Sequence, residues 1–319
     1  MSARITPDAP PPIPATEFIA PARPTLRQRL DAYERLVRLD KPIGILLLLW
    51  PTLTALWLAN AGQPSARLIL VFVLGTVVMR CAGCAFNDWA DRDFDAHVKR
   101  TANRPLARGD IAPWEALAVG AAFAFSGLLL VILGTNRVTI WWSVLALAIA
   151  MAYPFFKRFF SLPQAFLGIA FSFGIPMAFA ASTGTVSAVG LTLFGLNLFW
   201  VIAYDTEYAM VDRDDDVRLG LRTSALTFGR YDRIAIAACY AIYLAGMAGV
   251  GHYLKLGASY WVGLAVALVF AGYHLWLIRT RERDLCFRAF LSNHWLGLAI
   301  FAGAALDYAV RLRAWPRFA

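Results

Sequence analysis

Polar and apolar positions along this chain sort into long blocks, without the short alternation of a sheet or the narrow stripe of a soluble helix. Nine apolar stretches of about 20 residues, the length that fills a bilayer, begin near Lys41, Arg67, Pro113, Val138, Pro163, Val189, Tyr231, Ser259 and Phe287. Each predicts a transmembrane helix. Ahead of them, Leu26 to Asp40 predicts an interfacial helix, and residues 1–25, with Pro7, Pro10, Pro11, Pro12, Pro14, Pro21 and Pro24, predict a disordered tail. The expectation is an all-α integral membrane protein with one transmembrane domain spanning residues 26–319.

Composition supports the bilayer as solvent. Hydrophobic side chains make up 59% of the 319 residues and charged ones only 16%, more apolar surface than a soluble core of this length hides. The net charge of +9 does not point to nucleic acid, because the basic residues fall between apolar stretches instead of forming one stripe. With the N-terminus inside, twenty-four of the 30 Lys and Arg lie on the inner side, leaving Arg67, Arg137, Lys255, Arg311, Arg313 and Arg317 outside. The N-terminus is therefore expected in the cytoplasm. No uninterrupted apolar signal-peptide core occurs, and Asp8 and Glu17 argue against a transit peptide, which favours a bacterial inner membrane. Cys81, Cys84, Cys239 and Cys286 are scattered, without a second CxxC or a His pair to complete a zinc site, and read as packing residues.

Two acidic clusters change the picture from scaffold to chemistry. Asn87-Asp88-Trp89-Ala90-Asp91-Arg92-Asp93-Phe94-Asp95 abuts the second apolar stretch, and Tyr204 to Asp216 follows the sixth. At about 100° per residue, Asn87, Asp88, Asp91 and Asp95 share an arc of roughly 100°, with Asp93 opposite. In the second cluster Asp205, Tyr208, Asp212 and Asp216 share about 80°, with Glu207 and Asp214 behind. Both clusters follow an even-numbered span, so both emerge on the same, cytoplasmic side. Grouped carboxylates repel one another and need a cation, and hard oxygen donors in such number favour Mg²⁺ bridged to a phosphate-bearing substrate. Lys99, Arg100 and Arg104 follow the first cluster and Arg218 and Arg222 the second, placed to hold diphosphate oxygens that the metal leaves free. Arg80, inside the second span, is expensive in lipid and must face a cavity or a carboxylate.

The Asn87-Asp88-x-x-Asp91-x-x-x-Asp95 pattern and the Tyr204 to Thr223 stretch resemble the two signature regions of the UbiA superfamily of membrane prenyltransferases. Arg38 to Gly44, Val98 to Pro105, Tyr153 to Arg158 and Leu162-Pro163-Gln164 resemble its 4-hydroxybenzoate polyprenyltransferase branch. The resemblance runs from about Leu36 to the end of the last span. It implies a nine-helix bundle around a central cavity open to the cytoplasm and laterally to lipid. It also implies Mg²⁺-dependent transfer of a polyprenyl group from its diphosphate to the carbon ortho to the phenol of 4-hydroxybenzoate, in ubiquinone biosynthesis. On that pattern Asp88, Asp91 and Asp95 hold one Mg²⁺ and Asp212 with Asp216 a second, with Asn87 as a neutral ligand or orienting group. The run Asp214-Asp215-Asp216 departs from the pattern and leaves Asp215 as a substitute.

Under this reading an allylic cation needs shielding by aromatic faces such as Trp50, Phe86, Tyr153, Phe171 and Phe173. The acceptor carboxylate needs a guanidinium, with Arg158 first, Lys157 and Tyr153 beside it, and Asp205 to orient the acceptor or take a proton. Two other readings compete. One is a sister prenyltransferase acting on a naphthoate, homogentisate or porphyrin. The other is a cation-coupled transporter, whose acids would sit near the membrane midplane on broken helices.

Overall fold

The computed structural model describes residues 25–156 and 160–314, so the Pro-rich tail up to Pro24 lies outside the described residues. The chain is helical throughout: α1 Leu26–Val37, α2 Ile43–Ala59, α3 Ala66–Asp95, α4 Pro113–Gly134, α5 Arg137–Phe156, α6 Pro163–Ser172, α7 Gly174–Thr183, α8 Ala188–Leu219, α9 Ser224–Phe228, α10 Asp232–Tyr253, α11 Ala258–Leu277 and α12 Arg283–Ala314. Each of the nine apolar stretches read from the sequence corresponds to helix. By length and composition, eight segments can cross a membrane, α6 with α7 and α9 with α10 each counting as one. The first stretch, α2, has 17 residues and falls short of them.

Local chemistry sets the ends and breaks. Thr25 and Gln28 form a capping box at the start of α1, which ends where Arg38 turns left-handed at φ 58°. The helix lies along the acid-bearing end of the bundle, with the Tyr33 hydroxyl donating to Glu115 at 2.8 Å and Arg29 paired with the same carboxylate. The fifth stretch, expected as one helix, is broken at Phe173 into α6 and α7. Pro176 lacks an N–H and crowds the carbonyl of Ser172, four residues back, which stops α6 there. Gly174 then lets this turn press onto the Thr52 hydroxyl of α2, a contact that a Cβ would prevent.

α3 with α4 and α11 with α12 form the two most extensive helix pairs, and α12 also joins α2, α6, α8 and α10 in building the centre. Small residues allow close approach where no apolar driving force separates helix from lipid. Gly263 of α11 and Gly303 of α12 meet backbone to backbone, and a Cβ on Gly263 would come 2.8 Å from the Gly303 Cα. Trp200, Tyr204, Tyr240 and Tyr260 are fully enclosed at the centre, while Leu133, Trp141, Val262 and Val269 point outward and stay exposed, as residues facing lipid do.

The length of two helices positions the chemistry. At about 1.5 Å per residue, the 30 residues of α3 and 32 of α8 reach roughly 45 Å, beyond the about 30 Å of hydrocarbon in a bilayer. Their C-terminal turns carry the two acidic motifs and stand at the same end of the bundle, as the even-span argument predicts.

Candidate functional site

A cavity of about 820 Å³ opens between these helices. Its charged end is walled by Asn87, Asp91 and Asp95 of α3 and by Asp205, Tyr208, Asp212 and Asp216 of α8. Both helical arcs drawn from the sequence thus face one space. The residues placed outside the arcs point elsewhere: Asp93 and Asp214 are exposed, and Glu207 is buried on the far side of α8, bonded to Tyr240 at 2.9 Å and Asn293 at 2.8 Å. Asp215 pairs with Arg283 at the start of α12 at 3.0 Å, whereas Asp216 lines the cavity.

Asp88 differs from its neighbours. Fully buried at the edge of the arc, it is not part of the cavity wall, and its Oδ1 takes Arg104 at 3.0 Å together with Arg38. Arg104 also reaches Asp95 at 2.6 Å, so one guanidinium ties two turns of the first motif. Arg100 embraces Asp212 with bonds of 2.9 and 2.6 Å to Oδ2, and its guanidinium lies 4.4 Å above the Tyr208 ring. The loop after α3 thereby links both motifs. It is anchored by the Thr101 hydroxyl, which donates to the Asp95 carbonyl at 2.7 Å. Burial raises the Asp95 carboxyl above its ordinary value, and Arg104 pulls against that shift.

Of the basic residues expected to hold diphosphate, Arg100, Arg104 and Arg222 face the cavity beside Asn87, which is expected to assist in the same site, while Lys99 and Arg218 are exposed and off its wall. Tyr153 and Asp205, expected at an acceptor, both line it. Lys157 and Arg158 lie outside the described residues. Among the expected aromatics, Tyr153, Phe171 and Phe173 face the cavity, but Trp50 packs on Phe301 and Phe86 on Trp89 instead.

Several cavity residues were not assigned to the site from sequence. Arg38, Asp40 and Lys41 reach it from before α2, and Phe287 and Phe290 from α12. The segment from Arg38 to Gly44 was a signal for the former; nothing local marks Phe287 or Phe290, which arrive through stacking on Tyr208, Phe290 at 4.3 Å between centroids. Arg80 takes the cavity-facing alternative, with its guanidinium 5.6 Å from the Phe171 ring centroid. Gly44 leaves room for that side chain, and among the described residues no carboxylate lies within 4 Å of it.

The donor set can be tested against a divalent cation. Asn87, Asp91, Asp95, Asp212 and Asp216 offer hard oxygens to a single cavity, the chemistry Mg²⁺ prefers. Among the described residues, no three acid, His or Cys side chains converge closely enough to form a ready metal site, and Arg100 and Arg104 pair with Asp212 and Asp95. The residues fit the ion in kind and location. Past the charged end the wall turns apolar, through Met79, Leu128, Leu147, Phe171, Phe173 and Met177.

Comparison with known proteins agrees with this geometry. A model described as the UbiA prenyltransferase family matches residues 48–297. A 4-hydroxybenzoate octaprenyltransferase of Ralstonia nicotianae is 60% identical over 283 residues, covering 89% of this chain and 97% of that protein. One from Cupriavidus necator is 60% identical, covering 89% of this chain and 99% of its own. Among solved structures, a UbiA homolog from Aeropyrum pernix K1 superposes with TM-score 0.71 at 26% identity, over 83% of this chain and 97% of that one. A UbiA homolog from Archaeoglobus fulgidus bound to GPP and Mg²⁺ gives TM-score 0.64 at 19% identity, covering 87% and 99%, a likeness of fold.

Removing one buried partner while leaving its acids is the sharpest test of the arginine arrangement. Arg104→Leu is expected to destabilise the protein by about 3 kcal/mol or more, read as thermal unfolding in detergent, because it leaves Asp88 and Asp95 without that cation. Adding Asp88→Leu should recover part of the loss; a double variant no better than the single one contradicts the pairing.

Proposed function

The chain belongs to the UbiA prenyltransferase family, and from that membership we propose that it transfers a polyprenyl group from polyprenyl diphosphate to 4-hydroxybenzoate, releasing diphosphate, in ubiquinone biosynthesis. The observation that carries the reading is the convergence of two acidic helix faces and their arginines on one end of a cavity that is apolar beyond it. A transporter would need acids near mid-membrane. Here the acids gather where a diphosphate would sit, with room for a hydrocarbon tail below.

Asp91, Asp95, Asp212 and Asp216, with Asn87, are the residues that would hold Mg²⁺. An ion held there would supply positive charge to offset the negative charge building on the departing diphosphate. Asp88 acts behind this set by fixing Arg38 and Arg104. Arg100, Arg104 and Arg222 take diphosphate oxygens, and the exposed Lys99 and Arg218 add attractive charge without direct contact. Tyr153, Phe171, Phe173, Tyr208 and Phe290 enclose the space below and exclude water from the allylic carbon. Arg158, with Lys157, takes the acceptor carboxylate, and Arg80, on the cavity wall, supplies a second cation. Asp205 is placed to take the phenolic proton, which makes the ortho carbon nucleophilic; loss of the ring proton then restores aromaticity.

The same reading counts α2 as a ninth crossing. It places the N-terminus and the charged end of the cavity on the cytoplasmic side of a bacterial inner membrane, with a lateral opening through which the tail meets lipid.

Purified protein in detergent, given octaprenyl diphosphate, 4-hydroxybenzoate and Mg²⁺, should form prenylated acceptor, and a chelator should stop it. Asp91→Ala with Asp212→Ala should lower turnover at least about a thousandfold, the equivalent of ~4 kcal/mol. Product from a naphthoate or homogentisate but not from 4-hydroxybenzoate would overturn the acceptor assignment, and uptake into sealed vesicles without product would overturn the class.

For the acceptor clamp, Arg158→Ala should raise KM for 4-hydroxybenzoate about tenfold or more, as loss of a charged hydrogen bond implies. An unchanged KM removes Arg158 from the role.

The tail path gives a graded expectation. Gly75, Met79, Gly83, Asn87 and Asp91 line the cavity at four-residue intervals along α3, and a Cβ on Gly75 or Gly83 meets nothing within 4 Å. Gly83 lies about 12 Å and Gly75 about 24 Å along the helix from Asp91. Gly83→Phe should cut kcat/KM for octaprenyl diphosphate at least about tenfold while sparing a two-isoprene donor. Gly75→Phe should spare intermediate lengths too. Equal loss across all donor lengths would place the tail elsewhere.

A further inference from the structure

A second concave site sits at the acid-bearing end of the bundle, apart from the cavity. It is a groove of about 440 Å³ between the first turns of α10 and the end of α11, lined by Arg230, Arg233, Ile234, Ala237, Leu275 and Arg281. Its two components differ in kind. One end is a cluster of guanidiniums, and the other is an apolar trough that runs down the helices toward the membrane interior.

The charges of this cluster are unevenly compensated. Arg281 is gripped by Asp232, with bonds of 2.9 and 2.7 Å, and Asp232 also holds Arg213 at 3.0 Å. That buried carboxylate is therefore spent. The neighbouring guanidiniums meet only neutral groups: Arg230 the Tyr231 hydroxyl at 2.6 Å, Arg233 the Arg279 carbonyl at 3.3 Å, and Arg279 the Trp276 carbonyl at 2.9 Å. Among the described residues no carboxylate lies within 4 Å of Arg230, Arg233 or Arg279. Of these three exposed cations, Arg230 and Arg233 line the groove, and Arg279 adjoins it through the carbonyl that takes Arg233.

The surroundings fix the depth of this cluster in the membrane. Tyr231 and Trp276 are exposed beside it, the amphipathic ring types that settle at the headgroup level. Arg230 and Arg279 lie over these two rings, at 4.7 and 4.1 Å, which holds the guanidiniums in that layer. One turn deeper, Ile234 is 66% exposed, and Ala237 and Leu275 continue the apolar floor. A soluble anion would match the arginines and leave the trough empty, whereas a neutral lipid would fill the trough and leave the arginines uncompensated.

We propose that this groove is a binding site for an anionic diacyl phospholipid, with its phosphate on Arg230, Arg233 and Arg279 and an acyl chain along Ile234, Ala237 and Leu275. A phosphodiester accepts hydrogen bonds from several guanidiniums at once, and basic pockets between membrane helices suit such headgroups. The site is independent of the prenyl-transfer reading. It meets the second acidic motif through Asp232 and Arg213, which directly follows Asp212.

The test uses the full chain in neutral detergent and follows its thermal unfolding midpoint. Dioleoyl-phosphatidylglycerol should raise the midpoint by about 3 °C or more over an equal amount of dioleoyl-phosphatidylcholine. The Arg230→Gln, Arg233→Gln, Arg279→Gln triple variant should lose that difference while keeping its own midpoint in detergent alone and its prenyl-transfer rate. Equal stabilisation by both lipids, or a triple variant that responds like the parent, overturns the proposal. So does a matching shift with inorganic phosphate, which would make the groove a free-anion site. Should the triple variant fold poorly, Ile234→Trp, which fills the trough and leaves every arginine, must abolish the same difference.

Discussion

Carboxylates at the edge of a hydrocarbon layer are stable only where cations share their space, and the charged end of this bundle is arranged around that requirement. Asp88, Asp91, Asp95, Asp212 and Asp216 are all buried. Arg104 bridges Asp88 and Asp95, Arg38 adds a second bond to Asp88, and Arg100 grips Asp212. Desolvating such pairs costs about as much as their attraction returns, so they are poor devices for stability alone. Under the proposed function their value lies in poise: a guanidinium that neutralises an acid in one state would turn to a phosphate oxygen when a metal takes its place.

Much of the architecture follows from bringing those charges to one place. α3 and α8 must outreach the hydrocarbon so that their acidic turns meet water, and the loop after α3 must fold back over its own helix end, which Thr101 enforces. α1 lies across the same end and delivers Arg38, held in its left-handed turn, to Asp88. Below this layer Arg80 reaches into the cavity, and the bundle can be closely packed, with glycines at Gly263 and Gly303 where backbones touch.

The legible parts of this site were those encoded by period. A 100° step is enough to place Asn87, Asp91 and Asp95 on one face and Asp205, Tyr208, Asp212 and Asp216 on another, and span parity is enough to bring both faces to one end. What period does not encode is depth. Asp88 sits only at the margin of its arc, and whether it faces the cavity or the arginines behind depends on Arg38 and Arg104, 50 residues before it and 16 after. Lys99 and Arg218 follow their motifs as closely as Arg100 and Arg222 do, yet loop geometry leaves them outside the wall. The break at Phe173 was written in Pro176, but its use, pressing Gly174 onto Thr52, is a tertiary fact.

The cavity is where these constraints meet, and its polarity gradient separates prenyl transfer from transport. A carrier must release its ion on both sides, which calls for acids at mid-depth and for helices that break around them. Of the two broken segments among the described residues, α6 with α7 turns at Phe173 among aromatic and apolar neighbours, Trp142 and Phe194, with no acid at the break, and α9 with α10 breaks beside Asp232 at the charged end of the bundle, away from mid-depth. The carboxylates stay at one end, and the wall leading away from them is lined by Met79, Leu128 and Leu147, which bind nothing ionic. Such a gradient has no use for a hydrated ion. It suits an amphiphile whose anionic head is held at the arginines while its hydrocarbon lies in the membrane-level cavity, so the reaction is confined to the junction where head and tail meet.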